Sequence, residues 1–315
     1  MVWRKFRVIV LMFSCCGLHA EPIQYSEAVV IGGIKQWITV SGDDASRPVL
    51  LFLHGGPGNS VIGFADKFTD ILKRHFVVVQ WDQRESGKTA KMNSSDQKLT
   101  VGLMVSDAID VVNYLRRRFA KETIYIVGHS WGGFLALNVA SSHPELLTAC
   151  IAIAPMVNQW ESERQTLDWL MNKARETNNT EAIGELSRVH IPFGTPDELY
   201  YHRRWLLLSD KKNPFSKNYV RNWGKKWFDM YKEACSINLF EKAPEIRCPV
   251  YFLVGSNDRQ ASSTITEAYY QALKTEKKDL FWFTKSGHSL NLTEPKKMQD
   301  IILSLRSVQD KEDGK

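Results

Sequence analysis

The sequence has few cysteines and no long apolar run, and both absences exclude whole classes of protein. Five cysteines among 315 residues are too few for a disulfide scaffold. The apolar run near the N-terminus is shorter than the roughly 20 residues that a membrane-spanning helix needs. A Gly-rich nucleotide fingerprint and a Cys/His cluster with metal-ligand spacing are also missing, so we expect no cofactor and no metal.

A large excess of one charge is missing as well. The formal net charge is +6, with 24% charged and 43% hydrophobic residues, which is an ordinary globular composition. No basic stripe interleaved with aromatic residues occurs, so we expect no nucleic-acid partner. Lys225, Lys226 and Lys232 fit a solvated helix face better than a binding patch.

Residues 1–20 have the pattern of a secretory signal peptide. Arg4, Lys5 and Arg7 form a positive segment, an apolar run follows at 8–13, and Ala20 provides a small residue at the cleavage site. Cleavage there removes three basic residues and no acidic ones, which lowers the net charge to +3. The pattern predicts a secreted or periplasmic protein with no integral membrane span once the signal is removed.

Two alternatives remain open for this segment. The apolar run could act as an uncleaved anchor, or Cys15 or Cys16 could be acylated as in a bacterial lipoprotein. The residues before Cys15, Met12-Phe13-Ser14, match the small-residue pattern of such signals poorly, so we favour cleavage after Ala20.

Three cysteines follow the predicted signal, so at most one disulfide can form. Cys150 lies in an apolar run and is expected to be a buried small hydrophobe. Cys235 and Cys248 are the pair that could form a bridge.

Short apolar runs alternate with helix-like stretches through most of the chain, which predicts a mostly parallel, doubly wound sheet. The predicted buried strands are at 48–53, 76–81, 124–127, 147–154, 250–254 and 280–283. Helical spacing of apolar residues occurs at 64–72, 101–119, 134–140 and 264–273. Residues 23–40 alternate apolar and polar, with Gly32-Gly33 near the turn, as in an edge hairpin.

Residues 156–243 interrupt this alternation. They are helix-like and highly charged, and we interpret them as a helical cap inserted into a core formed by residues 21–155 and 244–315. Five tryptophans occur in the cap, at 160, 169, 205, 223 and 227. Each could line a pocket, but packing within the cap is the better interpretation for any one of them.

The strongest motif is Gly128-His129-Ser130-Trp131-Gly132, a G-x-S-x-G pattern. It stands between a predicted buried strand and an Ala-rich helix, where small flanking residues let the chain turn sharply and expose the serine hydroxyl at a helix N-terminus. We predict that Ser130 is a nucleophile. The alternative is an ordinary strand-to-helix turn.

A serine nucleophile needs a base and an acid that orients the base. His288 follows the last predicted strand and is the best-placed histidine, and Asp258 follows the preceding strand. The chain order Ser130, Asp258, His288 is the order that this kind of sheet uses. Asp258 could instead be a turn residue, while Asp279 precedes its strand and would lie at the wrong end of the sheet.

The oxyanion formed during acyl transfer needs preorganised N–H donors. Trp131, the residue after the predicted nucleophile, offers one, and Gly55 or Gly56 in the loop after an earlier strand offers the other. We assign Gly56 with Trp131 to the oxyanion hole and Gly55 to substrate contact. An ordinary turn is the alternative interpretation of this Gly-rich loop.

Three motifs carry a family resemblance. They are His54-Gly55-Gly56-Pro57-Gly58, then Asp82-Gln83-Arg84 followed by Ser86-Gly87-Lys88-Thr89, and Gly128-His129-Ser130-Trp131-Gly132-Gly133. Together they resemble the proline iminopeptidase family of α/β-hydrolases, from about Ile34 to Pro295 and least clearly across the cap. The resemblance implies release of an N-terminal residue, often proline, by Ser130, Asp258 and His288 without a metal.

The chain departs from this family at two positions. His129 stands where the family usually has glycine, and esterases of the wider fold more often have histidine there. Glu85 also replaces a usual glycine. Family members bind the substrate amine with cap acids, for which Glu161 and Glu163, beside Trp160, are the candidates, although surface charges are an alternative interpretation.

Asp82 and Arg84 end a predicted strand near the site, where we expect a structural ion-pair or hydrogen-bond role. The favoured function is an aminopeptidase acting on a small peptide. A carboxylesterase or lactonase with the same triad is the second hypothesis. A non-catalytic binding protein is disfavoured because no member of the triad is missing.

Overall fold

The computed structural model describes residues 21–93, 97–209 and 215–313, and the side chains only as far as residue 306. The predicted signal peptide 1–20, including Cys15 and Cys16, lies outside the described residues. Within the described ranges, no helix combines the length and apolar content needed to cross a bilayer.

Eight strands form one sheet at the centre of the fold. In chain order they are β1 Ile23–Ile31, β2 Ile34–Gly42, β3 Val49–Leu53, β4 Val77–Asp82, β5 Ile124–His129, β6 Leu147–Ile153, β7 Val250–Gly255 and β8 Lys278–Phe283. Their order across the sheet is β1-β2-β4-β3-β5-β6-β7-β8. β2 is antiparallel to both neighbours and every other adjacent pair is parallel. The predicted mostly parallel α/β-hydrolase sheet is therefore confirmed.

The local sequence explains the two kinds of strand. β1 alternates exposed and partly buried residues, as expected at an edge, while β3, β4 and β7 are buried at every position. The hairpin between β1 and β2 turns at Gly32 and Gly33, with φ of +53° and +80°. Both values are in the left-handed region that a two-residue hairpin turn uses and that favours glycine.

The described residues form twelve α-helices. They are α1 Asp66–Thr69, α2 Gly87–Met92, α3 Val101–Arg118, α4 Trp131–Ser142, α5 Gln159–Glu176, α6 Thr180–Leu186, α7 Pro196–Ser209, α8 Lys217–Ser236, α9 Leu239–Lys242, α10 Ser263–Ala272, α11 Leu290–Thr293 and α12 Pro295–Asp313. On one face of the sheet, Leu51 and Ile126 pack in a core with α3, α4 and α10. On the other face, Phe52 and Val127 pack with α1 and α12. The sheet is thus covered on both sides.

Helices α5 to α9 follow β6 and precede β7, and we call them the cap helices. They occupy the segment where the sequence predicted a cap, 156–243. Side chains stabilise their starts: Asn158 accepts a hydrogen bond from the backbone N–H of Glu161, and Ser216 accepts one from Tyr219. Part of their apolar surface forms a separate small core around Leu170 and Leu206.

The three described cysteines are all free and buried, so Cys235 and Cys248 do not form the disulfide that the sequence allowed. Cys235 belongs to α8, whereas Cys248 lies just before β7. Cys150 is buried in β6 as expected. Burial raises the pKa of the Cys150 and Cys235 thiols, which keeps them protonated and unreactive.

Candidate active site

Ser130 lies on the turn between β5 and α4. Its φ and ψ are +55° and −117°, a strained conformation for a non-glycine residue that holds the side chain above the sheet. The flanking glycines are required sterically. A Cβ on Gly128 would lie 2.0 Å from the carbonyl oxygen of Gly132, and a Cβ on Gly132 would lie 2.1 Å from that of Leu53. The Gly-x-Ser-x-Gly spacing is thus what makes the turn possible.

His288 and Asp258 lie on the loops after β8 and β7 and contact each other. His288 Nδ1 donates to Asp258 Oδ2 over 2.9 Å, and Asp258 Oδ1 accepts from the backbone N–H groups of Gln260 and Ala261. The proton on Nδ1 leaves Nε2 as an acceptor. That atom is buried and has no hydrogen-bond partner among the residues the structure describes.

Asp279, the alternative carboxylate for this role, lies at the opposite end of the strands from His288. It is exposed near the N-terminal end of β8, whereas His288 follows the C-terminal end of that strand. The separation follows from the parallel pairing of β7 and β8, which puts the loops after both strands at one edge.

His129 links the serine turn to the histidine loop. Its Nε2 donates to the backbone oxygen of His288 over 2.8 Å, and the two rings are 5.0 Å apart. Burial, with a smaller contribution from His288, lowers the pKa of His129 to about 4, so His129 is neutral at pH 7. It can therefore fix the loop without adding a charge beside Ser130.

The loops after β3 and β4 are joined to α4 by buried hydrogen bonds. Gln83 donates through Nε2 to the backbone oxygen of His54 over 2.8 Å and accepts through Oε1 from the indole N–H of Trp131 over 2.9 Å. His54 Nε2 also lies 3.0 Å from the hydroxyl of Ser86. Burial lowers the pKa of His54, which keeps it neutral. These bonds hold the Gly-rich loop against the serine turn.

The structure brings Gly55, Gly56, Ser130 and Trp131 together. A Cβ on Gly55 would lie 3.3 Å from Ser130 Cβ, and Gly56 lines the cavity into which Ser130 opens. Trp131 is the first residue of α4, where backbone N–H groups have no acceptor within the helix and the helix dipole favours a negative charge. This arrangement has the chemistry of an anion site.

The cavity next to Ser130 has a volume of about 60 Å³. Its walls combine core and cap residues: Gly56, Asn59, Ser130, Met156, Gln159, Arg203, Leu207, Phe215, Tyr219, Val220, Trp223, Tyr231 and Gln260. An engineered apolar cavity of about 150 Å³ holds benzene, so this one suits a small group. The aromatic side chains contributed by the cap make most of the wall apolar.

Two cap residues expected to contact substrate lie away from this cavity. Glu161 pairs with Arg164 over 2.9 Å on the same helix, and the ring of Trp160 packs against Phe193 at 5.6 Å. Neither lines the cavity. The structure therefore does not bring Glu161 or Trp160 to the cavity beside Ser130, and both side chains make contacts within the cap.

Glu163, two residues further on, points into the cap interior instead. Arg203 donates to both of its carboxylate oxygens, at 2.8 Å for Oε2, and Gln159 Nε2 donates to Oε1 over 2.6 Å. Tyr231 donates to the same oxygen. Burial alone would raise the pKa of Glu163, but Arg203, His202 and Tyr231 together outweigh burial and lower that pKa to about 2. No sequence motif marks Gln159, Arg203 or Tyr231 as members of this cluster.

The start of α5 is joined to the loop that carries Asp258. Gln159 Nε2 donates to the backbone oxygen of Gln260 over 2.8 Å, and the backbone N–H of Ser262 donates to Ser162 Oγ over 3.1 Å. Thr166 donates to the backbone oxygen of Arg259. We call residues 258–262 the acid loop, and its conformation depends on these cap contacts.

Arg84 has the structural role expected for it. It forms a buried pair with Asp107 of α3, at 2.7 and 2.9 Å, and donates to the backbone oxygen of Gly32. Asp82 accepts from the backbone N–H of Lys88 over 2.7 Å. The sequence contained a signal for Asp107, since a lone carboxylate on the apolar face of a helix needs a buried partner.

A largely parallel sheet with a serine on a strand-to-helix turn, and an acid–histidine pair on the loops after its last two strands, defines an α/β-hydrolase. The family model for "Serine aminopeptidase, S33" matches residues 44–296. The protein belongs to this family, and the predicted resemblance to proline iminopeptidases is confirmed at the family level.

Individual relatives agree with this placement. The chain is 30% identical over 301 residues to the probable aminopeptidase YbaC of Bacillus subtilis (strain 168), covering 87% of this chain and 94% of that protein. It is 24% identical to the proline iminopeptidase of Heyndrickxia coagulans, covering 87% and 95%. The solved structure of proline iminopeptidase from Mycobacterium smegmatis shares the fold, with a TM-score of 0.63, 17% identity and coverage of 91% and 99%.

Proposed function

We propose that the protein is a serine aminopeptidase that releases an N-terminal residue, of prolyl type, from small peptides. The observation that carries this proposal is the His288–Asp258 pair, whose free Nε2 is buried on the loop that His129 joins to the Ser130 turn. Family membership and the aminopeptidase relatives support the reaction class.

The proposed reaction has two acyl-transfer steps. His288 Nε2 takes the proton of Ser130 as its oxygen attacks the substrate carbonyl, and Asp258 stabilises the resulting imidazolium. The N–H groups of Gly56 and Trp131 stabilise the oxyanion. His288 then gives its proton to the leaving amine as the peptide bond breaks. A water repeats the sequence on the acyl-enzyme, regenerating Ser130 and releasing the amino acid.

The walls of the cavity support an apolar acyl group. The aromatic side chains of Tyr219, Trp223 and Tyr231 line the cavity and can pack against a compact ring such as that of proline. The relatives named as proline iminopeptidases support the same substrate class.

The test compares the wild-type protein with Ser130→Ala on a prolyl arylamide that has a free amine and on its N-blocked analogue. We expect turnover of the free-amine substrate alone, and a loss of kcat of about 10⁴-fold or more in the variant. Ser142→Ala, at the other end of α4, is the matched control and should retain activity. Equal turnover of the blocked substrate, or an active Ser130→Ala, would refute the aminopeptidase proposal.

Ester hydrolysis by the same triad is the second candidate. It is favoured by the state of Glu163, whose charge is compensated by Arg203, so that no carboxylate lines the described cavity to attract an ammonium group. An aryl ester without an amine, measured beside the arylamide, separates the two. Turnover of the ester alone would keep the triad and replace the peptidase assignment.

We also propose that residues 1–20 are removed on secretion. The expected mature chain begins at Glu21, two residues before β1. N-terminal sequencing of the exported protein tests this, and retention of Met1 or a lipid on Cys15 or Cys16 would contradict it.

A further inference from the structure

One polar side chain in the cavity wall has an unused acceptor. Gln159 is only 2% exposed and lines the cavity beside Ser130. Its Nε2 donates twice, to Glu163 Oε1 over 2.6 Å and to the backbone oxygen of Gln260 over 2.8 Å. Its Oε1 is buried and accepts no hydrogen bond from any residue that the structure describes. A buried acceptor without a donor is costly and marks a place where a ligand can bind.

The orientation of this amide is determined by its neighbours. Exchanging the oxygen and nitrogen of Gln159 would place its oxygen against a carboxylate and a carbonyl, neither of which can donate. Oε1 must therefore point away from Glu163 and Gln260. No residue that the structure describes supplies the donor that this oxygen needs.

The neighbouring charged side chains, Arg203 and Glu163, already have hydrogen-bond partners within the protein. Arg203 makes four hydrogen bonds through its two terminal nitrogens, to Glu163, His202 and Tyr231. Both carboxylate oxygens of Glu163 accept from these or adjacent groups. The ion pair is thus internally satisfied, and Gln159 Oε1 remains as the unsatisfied polar atom of this cluster.

We propose that Gln159 Oε1 binds the α-amino group of the substrate, and that the Glu163–Arg203 pair serves to hold the Gln159 amide in position. This inference rests on the proposed function, because only an aminopeptidase substrate carries such an amine. The amine of the residue to be released is covalently adjacent to the carbonyl that Ser130 attacks, so both must bind in one small cavity. Selection for the amine then depends on a neutral acceptor, the Gln159 amide. This amide is held in turn by its hydrogen bond to the backbone oxygen of Gln260 in the acid loop.

The experiment uses two esters that differ only at the amine, a prolyl aryl ester and the cyclopentanecarbonyl ester of the same phenol. The acyl groups have the same size and ring, and Ser130 attacks the same kind of bond in both. The intrinsic reactivities of the two esters are the same for every variant, so the change in the ratio of their kcat/KM values between wild type and variant measures amine recognition. We expect the wild-type protein to prefer the prolyl ester and Gln159→Met to reduce that preference by about ten-fold or more.

Two further variants keep the test decisive. Gln159→Asn retains an amide but withdraws the oxygen by one methylene, and it should also lose the preference, which covers the case in which Gln159→Met fails to fold. Asn172→Met, which replaces an exposed amide on the same helix, is the matched control and should keep the wild-type ratio. Circular dichroism and urea unfolding establish that each variant is folded.

The outcomes separate the inference from the proposed function. A wild-type preference that folded Gln159 variants retain, or an equal loss on both esters, would overturn the role of Gln159 and leave the aminopeptidase proposal intact. A wild-type protein that shows no preference for the amine would overturn both. A selective loss on the prolyl ester in the Gln159 variants, with Asn172→Met unchanged, is the result that we expect.

Discussion

Replacing Arg203 by leucine should strongly destabilise the fold, because it leaves the buried carboxylate of Glu163 without its cation. The side chains of Arg203 and Glu163 are 6% and 1% exposed, so water can compensate neither. Removing one partner of a buried pair costs about 3–5 kcal/mol of unfolding free energy. Gln159 and Tyr231 still donate to Glu163, which places the expected loss nearer the lower value.

The pH dependence of this loss follows from the pKa of Glu163. In the wild-type protein that pKa is lowered to about 2, below the roughly 4.3 of an unfolded chain. The ionised carboxylate therefore contributes about 3 kcal/mol to the free energy of unfolding above pH 5, and this contribution disappears as the pH falls towards 2. Without Arg203, burial should raise the pKa of Glu163, and the variant regains stability on protonation. Protonation of His202, which lies 3.3 Å from Glu163, acts in the same direction. The difference in unfolding free energy between the wild-type protein and Arg203→Leu, which we call the gap, should therefore narrow as the pH falls from 7 to 4.

Urea unfolding followed by tryptophan fluorescence at pH 7 and pH 4.5 measures this gap. Arg164→Leu, which removes an exposed pair on α5, is the control and should unfold close to the wild-type midpoint. The double variant Glu163→Gln/Arg203→Leu, which buries no charge, should be more stable than Arg203→Leu alone. An Arg203→Leu variant with the wild-type midpoint at pH 7, or a gap that widens with acid, would refute the reasoning.

Three further predictions concern the site and its support. His129→Ala removes the hydrogen bond to the backbone oxygen of His288. In steady-state assays of the folded variant, we expect kcat to fall about 5- to 10-fold with little change in KM. An unchanged kcat would contradict the positioning role of His129. Gly132→Ala puts a Cβ 2.1 Å from a backbone oxygen of β3 and should give inactive or insoluble protein, while Gly63→Ala, which meets open space, should behave as wild type. Burial lowers the pKa of His202 to about 4, below its unfolded value of about 6.5. The neutral ring therefore stabilises the fold fully above pH 6.5, and this stabilisation is lost as the pH falls to 4. In His202→Gln, the urea midpoint should change less with pH between 6.5 and 4.

The parts of the structure that local sequence determines were predictable. The runs that became β3 and β7 are apolar at every position because both faces of a parallel strand are buried. At the Ser130 turn, Gly128 is required by a contact within five residues, the carbonyl oxygen of Gly132, whereas Gly132 is required by its contact with Leu53 of β3. His288 and Asp258 follow neighbouring parallel strands, so the chain order alone brings them to one edge of the sheet.

The polar cluster of the cap was not predictable in the same way. Glu161 and Glu163 both occur in a charged helix start, but they are two positions apart and so face opposite sides of the helix. Which of them is inward depends on Arg203, 40 residues away, and that contact leaves no local pattern. Gln159 likewise acquires its orientation from Gln260, 101 residues further along the chain.

The strained backbone at Glu85 shows a similar limit. Its φ is +60°, which explains why glycine is usual there in the resembled family, since glycine adopts that conformation without penalty. In this protein the side chain is used instead, because its carboxylate pairs with Lys226 of α8 over 3.1 Å. The residue that departs from the family pattern, Glu85, thus forms a contact between the core and the cap.

The hydrogen bonds between α5 and the acid loop have a consequence for recombination among relatives. Ser162, Thr166 and Gln159 hold the backbone of residues 259–262, and Asp258 orients His288 from the same loop. A cap exchanged by itself would bring donors and acceptors that do not match this loop, and the acid would move with it. Functional chimeras should therefore arise only when residues 258–262 are transplanted together with α5, although residues 177–257 lie between the two segments.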